Sequence, residues 1–392
     1  MKILSVNAGS SSLKFTLFEM PEEKELISGV FERIEIENSF YTIKLNGEKI
    51  KKEAVLANHT DAVKILTQEL LDNNIVEDLS EIKAIGHRMV HGGEKYASSV
   101  LLTDEVIKTV EELSDLAPLH NPANLVGVRA FMEVIPDAVS VGVFDTAFHQ
   151  TMEEDKYLYP VPFEWYEDYG VRKYGFHGTS HKYVSQKMAE ILGKSDAKII
   201  TCHIGNGGSL AAVKDGKCID TSMGFTPNAG IIMGSRSGDI DASLIPYVMK
   251  KSGMSISDID TALNKKSGLL GISGVSSDSR DIEDGIKSGN SRCELAQKMY
   301  VDKIVNYIAM YYVELGGADA IVFTAGVGEN SISTRKQIVE KLDCLGIKLD
   351  EERNNVRGKE ALISSDDSKV LVYVIPTNEE LMIATDTYNL AK

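Results

Sequence analysis

The chain has 392 residues, of which 43% are hydrophobic and 26% are charged; these values exclude disordered, collagen-like and disulfide-scaffold proteins. At about 150 residues per domain, the length predicts two or three domains. The formal net charge of −16 argues against nucleic acid and anionic membranes as partners. An anionic small-molecule substrate must therefore meet a local cluster of basic groups within an overall negative field.

The cysteines and the N-terminus indicate a reduced compartment. The four cysteines are too far apart for a CxxC motif and do not form a disulfide framework; they are Cys202, Cys218, Cys293 and Cys344. The opening residues reach Asn7 and Gly9 too early to hold the apolar core of a signal peptide. No apolar run is long enough to span a bilayer. We therefore expect a cytoplasmic protein that has no membrane partner.

The chain begins with a predicted antiparallel meander, followed by alternating helices and strands. Short apolar or alternating runs predict strands over residues 2–6, 13–18, 26–34 and 40–45. The spacing then predicts a helix over 60–71 and a strand over 82–90. A helix over 121–135 follows, with Asn121 as its capping residue. The next strand, over 139–144, ends at Asp145.

A degenerate copy of the opening segment lies in the middle of the chain. Residues 198–210 align with residues 2–13 at an offset of 196, with a one-residue slip near the end. Each copy reads as a strand, a glycine-rich turn and a returning strand. Later, a helix over 293–315 ends at Gly316-Gly317, and a strand over 320–324 leads into a third glycine-rich turn over 325–330. The pattern predicts an internal duplication of two α/β domains, each opening with a hairpin.

The glycine-rich turns are candidate phosphate sites, because turns of small residues expose backbone N–H groups that can hold phosphate oxygens. Ser12 adds a hydroxyl and Lys14 a cation to the first turn, and Asn206-Gly207 lies in the second. Either turn alone reads as an ordinary hairpin, since Asn-Gly is a strong hairpin signal. Two matched turns favour a phosphate clamp between domains. The P-loop motif is absent, and residues 326–331 form only an incomplete dinucleotide-binding fingerprint.

Arginine and histidine supply the groups that could handle an anion. Arg88 ends a predicted strand and Arg236 lies between glycines in a loop; the alternative for each is a surface salt bridge. His177 is a candidate polar catalytic group, and its alternative is a structural histidine. We predict that Thr179 or Ser180 caps the helix that follows. Histidines paired four residues apart also suggest a zinc site, but the second position of the HEXXH motif lacks its glutamate.

Two carboxylates are candidate ligands of a divalent cation. Asp145 follows an apolar strand, at the position where open α/β sheets bind ligands. Glu379 follows a predicted strand over 370–375. Magnesium usually takes one or two carboxylates together with waters and substrate phosphates, so two distant acids suffice. The alternative for Glu379 is an ordinary acid in the first turn of a helix that Asn378 caps.

Together, these segments resemble the acetate kinase family over nearly the whole chain. The motifs that carry the resemblance are VNAGSSSLK (6–14), HRMVHGG (87–93), FDTAFH (144–149), YGFHGTSH (174–181), HIGNG (203–207), TSMGFTP (221–227), GSRSGD (234–239) and GVGEN (326–330). The resemblance implies an α/β fold of duplicated ribonuclease-H-like domains, the actin-like ATPase fold, with an interdomain active-site cleft. It implies an N-terminal domain of residues 1–145 with 381–392 and a C-terminal nucleotide-binding domain of residues 146–380. Ala325 stands where glycine is frequent in the family.

The resemblance also assigns site residues, motif by motif. Its reaction-centre residues are Asn7, Arg88, Asp145, His177 and Arg236. Its ATP-binding residues are Ser12, Lys14, His203, Ile204, Gly205, Asn206, Gly207, Asp278, Ser279, Arg280, Gly326, Val327, Gly328, Glu329 and Asn330. Its acetate pocket consists of Arg88, Val90, Leu119, Phe176 and Pro227, and its magnesium ligands are Glu379 and Asn7.

The activity implied by the resemblance is a reversible, magnesium-dependent phosphoryl transfer from ATP to acetate. Manganese could replace magnesium, the products are acetyl phosphate and ADP, and the family is homodimeric. We expect direct in-line transfer, since a carboxylate is already ionised at neutral pH and needs no general base. The alternatives are a propionate or butyrate kinase of the same family, a non-kinase ATPase of the same superfamily, and a zinc hydrolase built on the paired histidines.

Overall fold

The computed structural model describes residues 1–118 and 120–392. Leu119, which the resemblance assigns to the acetate pocket, lies outside the described residues. The chain forms two compact units: the first comprises Met1–Gln150 and Asn378–Lys392, and the second comprises Thr151–Thr377. In the described part of the chain, no helix combines the length and the apolarity that a membrane crossing requires.

The first unit is built on one mixed sheet. Its strands are β1 (Lys2–Ala8), β2 (Ser12–Glu19), β3 (Lys24–Glu32), β4 (Phe40–Leu45), β5 (Glu48–Glu53), β6 (Ile82–Met89), β7 (Val100–Leu101) and β8 (Val139–Phe144). They lie in the order β5-β4-β3-β2-β1-β6-β8-β7. Strands β1 to β5 form an antiparallel meander, whereas β6 and β8 run parallel to β1. The predicted meander is therefore confirmed, and β5, whose residues are all exposed, extends it.

Helices cover both faces of this sheet. They are α1 (His59–Asp72), α2 (Asp104–Glu112), α3 (Asn121–Val134) and the C-terminal helix (Glu379–Ala391). Because side chains alternate along a strand, Leu4 and Val6 of β1 join the core formed with α1 and α3. Ile3, which precedes Leu4 and therefore points to the opposite face, packs with Ala384 of the C-terminal helix. The predicted helices and strands of this region are confirmed to within one or two residues.

The predicted cap of α3 is wrong, because α3 begins at Asn121 itself. The buried Asn121 side chain instead accepts a hydrogen bond from the backbone N–H of His91 at 3.1 Å. One turn later, Asn124 accepts from the N–H of Val90 at 3.1 Å and donates to the carbonyl of Ala8 at 2.7 Å. The helix therefore ties together the carboxyl ends of β1 and β6, where the predicted site residues lie.

The second unit repeats the topology of the first. Its strands are β9 (Lys198–Ile204), β10 (Gly208–Lys214), β11 (Lys217–Thr221), β12 (Ala320–Thr324), β13 (Ala361–Leu362) and β14 (Leu371–Val374). They lie in the order β11-β10-β9-β12-β14-β13. Strands β9, β10 and β11 form an antiparallel meander, and β12 and β14 run parallel to β9 and β12 respectively. This arrangement matches β3-β2-β1-β6-β8, so the predicted duplication and the fold class are confirmed.

Helices also lie on both faces of the second sheet. They are α4 (Glu154–Tyr157), α5 (Glu164–Tyr169), α6 (Gly178–Leu192), α7 (Leu244–Ser252), α8 (Ile256–Lys265), α9 (Gly268–Ser273), α10 (Ser279–Lys287), α11 (Ser291–Glu314), α12 (Ala325–Asn330) and α13 (Ile332–Glu340). Ile200 and Cys202 of β9 join the core formed with α11. The residues between and beyond them, Thr201 and His203, bond to side chains of α6. As predicted, α11 ends at a glycine with a left-handed backbone, Gly316.

Two local predictions in this unit are wrong. The third glycine-rich turn is the short helix α12, which starts at Ala325 with a positive φ of 64°. The Glu329 side chain accepts a hydrogen bond from the Ala325 N–H at 2.8 Å and so closes this helical turn. Thr179 and Ser180 do not cap α6, because His177 occupies the capping position and makes no side-chain capping bond. His177 itself has a left-handed backbone, with φ of 56°.

Gly86 of β6 tests the packing of the C-terminal helix on the first sheet. A Cβ at this position would lie 2.6 Å from Cγ2 of Ile383 and closer still to the Thr387 hydroxyl. Since overpacking a tight core costs about 1–3 kcal/mol, we expect Gly86→Ala to lower the free energy of unfolding by that amount in urea denaturation. Lys83→Ala, at an exposed position of the same strand, should change it by less than about 0.5 kcal/mol. Equal stability of the two variants would contradict the described packing.

Candidate active site

In the first unit, the predicted residues gather at the carboxyl ends of β1, β6 and β8. Arg88 donates from Nε to Asp145 Oδ1 at 3.2 Å and from Nη2 to Oδ2 at 2.5 Å, which is the two-point geometry that a guanidinium favours. Its Nη1 donates to Asn7 Oδ1 at 3.3 Å. The carboxylate of Asp145, followed by Glu379, raises the pKa of Arg88 above its ordinary value. The structure thus brings Asn7, Arg88 and Asp145 into direct contact.

Glu379 lies in the same electrostatic environment, in the first turn of the C-terminal helix. Asn378 caps this helix as predicted, with its side chain accepting from the Leu381 N–H at 3.0 Å. Burial raises the pKa of Glu379 to about 7; Arg88 opposes this effect and Asp145 adds to it. The neighbouring Glu380 forms an ion pair with Lys14, so this predicted cation is already held by a carboxylate. Glu379 is therefore a partly buried acid whose ionised form a further positive charge would stabilise.

In the second unit, His177, Gly207 and Arg236 lie side by side. A Cβ on Gly207 would lie 3.4 Å from Nη1 of Arg236 and 3.8 Å from both Nε2 and Cε1 of His177. The His177 ring also stacks on that of His203, with centroids 4.1 Å apart and planes 19° apart. The second glycine-rich turn therefore has a guanidinium and an imidazole edge facing the same point. Any side chain at 207 would fill the space in front of them.

Arg236 has no carboxylate partner among the described residues. Its Nη1 donates to the backbone carbonyl of Pro227 at 3.0 Å. Burial lowers the pKa of Arg236, because no nearby anion compensates for the loss of water around the guanidinium. Nη1 also lies 3.8 Å from Sδ of Met233. In a chain with 58 acidic residues, a half-buried arginine without a carboxylate partner is suited to bind an external anion.

The loop that carries Arg236 has no regular secondary structure, and hydrogen bonds of Asp239 fix its conformation. Asp239 accepts from the Gly230 N–H at 2.7 Å, and its own N–H donates to the Gly230 carbonyl at 3.0 Å. Its second carboxylate oxygen accepts from the hydroxyl of Tyr307 on α11 at 2.6 Å. The sequence interpretation missed Asp239, although an acid directly after Gly238 is a recognisable turn signal.

A cavity of about 550 Å³ in the second unit contains much of the predicted nucleotide site. The predicted residues that line it are Gly205, Asn206, Asp278, Ser279, Arg280, Gly326, Val327 and Asn330. The sequence interpretation missed Leu269, Ser277, Glu283, Tyr300, Ser331 and Arg357, which come from α9, α10, α11 and loops with no motif of their own. The volume lies within the range of small-molecule and cofactor sites.

Other predicted ATP-site residues do not line this cavity. Ile204 is fully buried in the core of the second unit. Glu329 accepts hydrogen bonds from the N–H groups of Ala325 and Thr377 and thus joins α12 to the end of the unit. His203 bonds instead to Ser180. Ser12 and Lys14 belong to the first unit. Of the acetate-pocket set, Val90 and Phe176 are buried, at 7% and 4% exposure.

The raised pKa of Glu379 has a direct consequence for stability. In the folded protein this acid titrates near 7, against 4.5 for an ordinary glutamate. The folded state therefore holds its proton more tightly than the unfolded state does. Its contribution to stability is fully present below about pH 4.5 and is lost as the pH rises through 7.

We therefore expect wild type to lose on the order of 3 kcal/mol relative to Glu379→Gln between pH 4.5 and 8, at about 1.4 kcal/mol per pKa unit. Urea denaturation without divalent cations measures this difference directly. Because the two proteins differ only at position 379, the change in the difference reports the titration of Glu379 together with its coupling to neighbours such as Asp145. A constant difference across this range would show that Glu379 titrates normally.

Comparison with known proteins identifies the family. The Acetokinase family model matches residues 2–385. The acetate kinase of Bacillus subtilis is 56% identical over 393 residues, covering 100% of both chains. The crystal structure of Porphyromonas gingivalis acetate kinase superposes with a TM-score of 0.95 at 49% identity, covering 100% of both chains. A propionate kinase from Francisella tularensis has a TM-score of 0.93 at 42% identity, covering 99% of both. The chain therefore belongs to the acetokinase family, whose members are phosphotransferases with a carboxyl group as acceptor.

Proposed function

We propose that this protein transfers the terminal phosphoryl group of ATP to a carboxylate oxygen of acetate, reversibly, giving acetyl phosphate and ADP. The observation that carries the proposal is Arg236, a half-buried guanidinium without a carboxylate partner, beside His177 and the glycine turn at 207. The acetokinase family membership supplies the reaction class. The cavity lined by the residues predicted to bind ATP supports the second unit as the nucleotide-binding part.

The chemical problem is the approach of one anion to another. Acetate is ionised at neutral pH, so its oxygen attacks phosphorus without a general base, and the protein contributes alignment and charge neutralisation. Arg88 orients the acetate carboxylate, while Arg236 and His177 hold the equatorial oxygens of the transferring phosphoryl group. We propose direct in-line transfer. The phosphoenzyme alternative would require an enzyme carboxylate as the first acceptor.

The residues of the first unit fit a divalent cation that enters with the nucleotide. The described residues contain no cluster of three or more His, Cys, Asp and Glu side chains that could hold a metal alone. Magnesium, however, usually takes one or two carboxylates and completes its shell with waters and phosphates. Glu379 is a partly buried acid whose ionised form a cation would stabilise, and Asn7 offers an amide oxygen. These two residues would hold magnesium, which neutralises phosphate charge when bound; manganese is the expected substitute.

The proposal also includes the domain bounds, the acyl-binding residues and the oligomeric state that the family resemblance implies, together with the expected location. The two domains are residues 1–145 with 381–392 and residues 146–380. The residues expected to contact the acyl group are those that the family resemblance assigns, Val90, Leu119, Phe176 and Pro227. The active protein is a homodimer, and its location is cytoplasmic. Size-exclusion chromatography with light scattering tests the dimer.

Arg236→Ala tests the central assignment. Since one preorganised donor to a transition-state oxyanion is worth about 10²–10³ in kcat, we expect a loss of that size with little change in the KM for ATP. Arg236→Lys should recover only part of the activity, because lysine keeps the charge and loses the planar fork. The assay incubates enzyme, ATP, magnesium and acetate, and traps acetyl phosphate as its hydroxamate.

The matched control is Arg129→Ala, which removes an exposed arginine that pairs with Glu111 on the surface. This variant should retain wild-type turnover. Unchanged turnover in Arg236→Ala would rule out the assigned role. Wild-type ATP hydrolysis that does not depend on acetate would instead favour the non-kinase ATPase.

The choice of acid is a separate question, because the similar Francisella tularensis protein is a propionate kinase. An added methylene in an apolar pocket changes discrimination by about 1–3 kcal/mol, or 10- to 200-fold. With Val90 in the pocket, we expect kcat/KM to fall by such a factor from acetate to propionate and again to butyrate. Hydroxamate assays with the three acids measure the ranking. A higher kcat/KM for propionate or butyrate would support the alternative kinase.

A further inference from the structure

A continuous chain of hydrogen bonds in the second unit ends on His177. Nδ1 of His177 lies 2.8 Å from Oγ of Ser209, and the same oxygen lies 2.8 Å from Nε2 of His181. Nδ1 of His181 lies 2.7 Å from Oγ1 of Thr201, which donates to the backbone carbonyl of Ala211. Ser209, His181 and Thr201 are fully buried, so protein groups rather than bulk water determine where these protons lie.

The backbone carbonyl at the far end gives the chain its direction. A carbonyl only accepts, and a hydroxyl has a single proton to donate, so the Thr201 proton points to Ala211 across 3.4 Å. The Thr201 oxygen then accepts from Nδ1–H of His181. This ring is fully buried, and burial disfavours its charged form, so we infer that the ring is neutral and that its Nε2 accepts. The Ser209 hydroxyl donates to that nitrogen, and its oxygen accepts from Nδ1–H of His177.

If the donors and acceptors of this chain were reversed, one hydrogen bond would be lost. If Ser209 donated to His177, then His181 would donate to Ser209 and Thr201 would donate to His181. The Thr201 oxygen and the Ala211 carbonyl would then face each other with no proton between them. This arrangement loses the hydrogen bond to the Ala211 carbonyl and is therefore disfavoured. Register fixes the contact, because Thr201 of β9 and Ala211 of β10 are directly paired.

The orientation of the His177 ring gives this direction a chemical consequence. The Nε2–Cε1 edge faces Gly207, and Nη1 of Arg236 approaches the same point. With its proton on Nδ1, a neutral His177 presents a lone pair at Nε2, which repels a phosphoryl oxygen. Only the doubly protonated ring donates there. The titratable and charged groups around the ring include His203 of β9, His181 of α6 and Arg236 of the loop.

We propose that Ser209, His181 and Thr201 are positioning residues that fix the proton of His177 on Nδ1, so that Nε2 holds a phosphoryl oxygen only as part of an imidazolium. The role of Nε2 rests on the proposed function, whereas the position of the proton does not. His203 supports the ring from its face, and its Nδ1 bonds to Ser180 at 2.8 Å. The neutral side chain of free histidine favours the opposite tautomer, with its proton on Nε2, so the proposal has a spectroscopic signature.

The test is ¹⁵N NMR of the full chain labelled at its eight histidines, recorded at a pH where the His177 ring is neutral. The His177 and His181 signals are assigned by their loss in His177→Gln and His181→Gln. We expect both rings to carry their proton on Nδ1. A proton on Nε2 of either ring, or an average of both tautomers, would overturn the proposal. Failure of wild type to make acetyl phosphate would contradict the proposed function, but it would not affect the conclusion about the position of the proton.

Thr201→Val and Thr201→Ser then test whether the chain of hydrogen bonds matters for catalysis. Valine removes the hydroxyl at nearly constant shape, so we expect both tautomer preferences to disappear and kcat to fall about 10- to 100-fold, the usual cost of losing a supporting partner, with KM changed less than about twofold. Serine keeps the hydroxyl, so Thr201→Ser should retain the tautomer preferences and the wild-type kcat. Thr67→Val is the control, since its buried hydroxyl donates only to the Lys64 carbonyl of α1. A wild-type kcat in Thr201→Val would overturn the positioning role.

Discussion

The arrangement depends on one electrostatic constraint: an anion must be brought to a polyanion in a chain whose net charge is −16. Most basic groups of the site are already neutralised. Arg88 is held by Asp145, and Lys14 by Glu380. Arg236 differs, because its guanidinium contacts the carbonyl of Pro227 and Sδ of Met233 and has no carboxylate partner among the described residues. Its charge is therefore not offset by a carboxylate, and the surrounding loop holds it in position.

The duplicated fold explains how such charges are placed. In each unit, a glycine-rich turn joins the first two strands, and a parallel strand ends beside this turn. Side chains at the strand ends and backbone amides of the turn therefore lie at the same edge of the sheet. Buried polar contacts then fix each group: Asn124 ties the ends of β1 and β6, and Asp239 closes the Arg236 loop. His177 is held in a left-handed backbone conformation, with φ of 56°, which costs energy for a non-glycine residue and persists only where its surroundings impose it.

Much of this could be predicted from the sequence. The repeated strand–turn–strand segment indicated the duplication, alternation indicated the first meander, and the flanking glycines indicated the loop that carries Arg236. The failures have physical causes. Strand β5 is paired by its backbone yet wholly exposed, so it carries no apolar pattern. The segment at 325–330 is rich in glycine, and a side-chain contact from Glu329 makes it helical. The links among His177, Ser209, His181 and Thr201 depend on the register of β9 and β10 and on the position of α6, which no single motif encodes.

The most direct test of the account is a crystal structure with ADP, magnesium, acetate and aluminium fluoride. Aluminium fluoride mimics the phosphoryl group in the transition state of the transfer. The account predicts the mimic within hydrogen-bonding distance, about 3 Å, of a guanidinium nitrogen of Arg236 and of Nε2 of His177, with acetate in line on its far side. A mimic bound away from both side chains would contradict it.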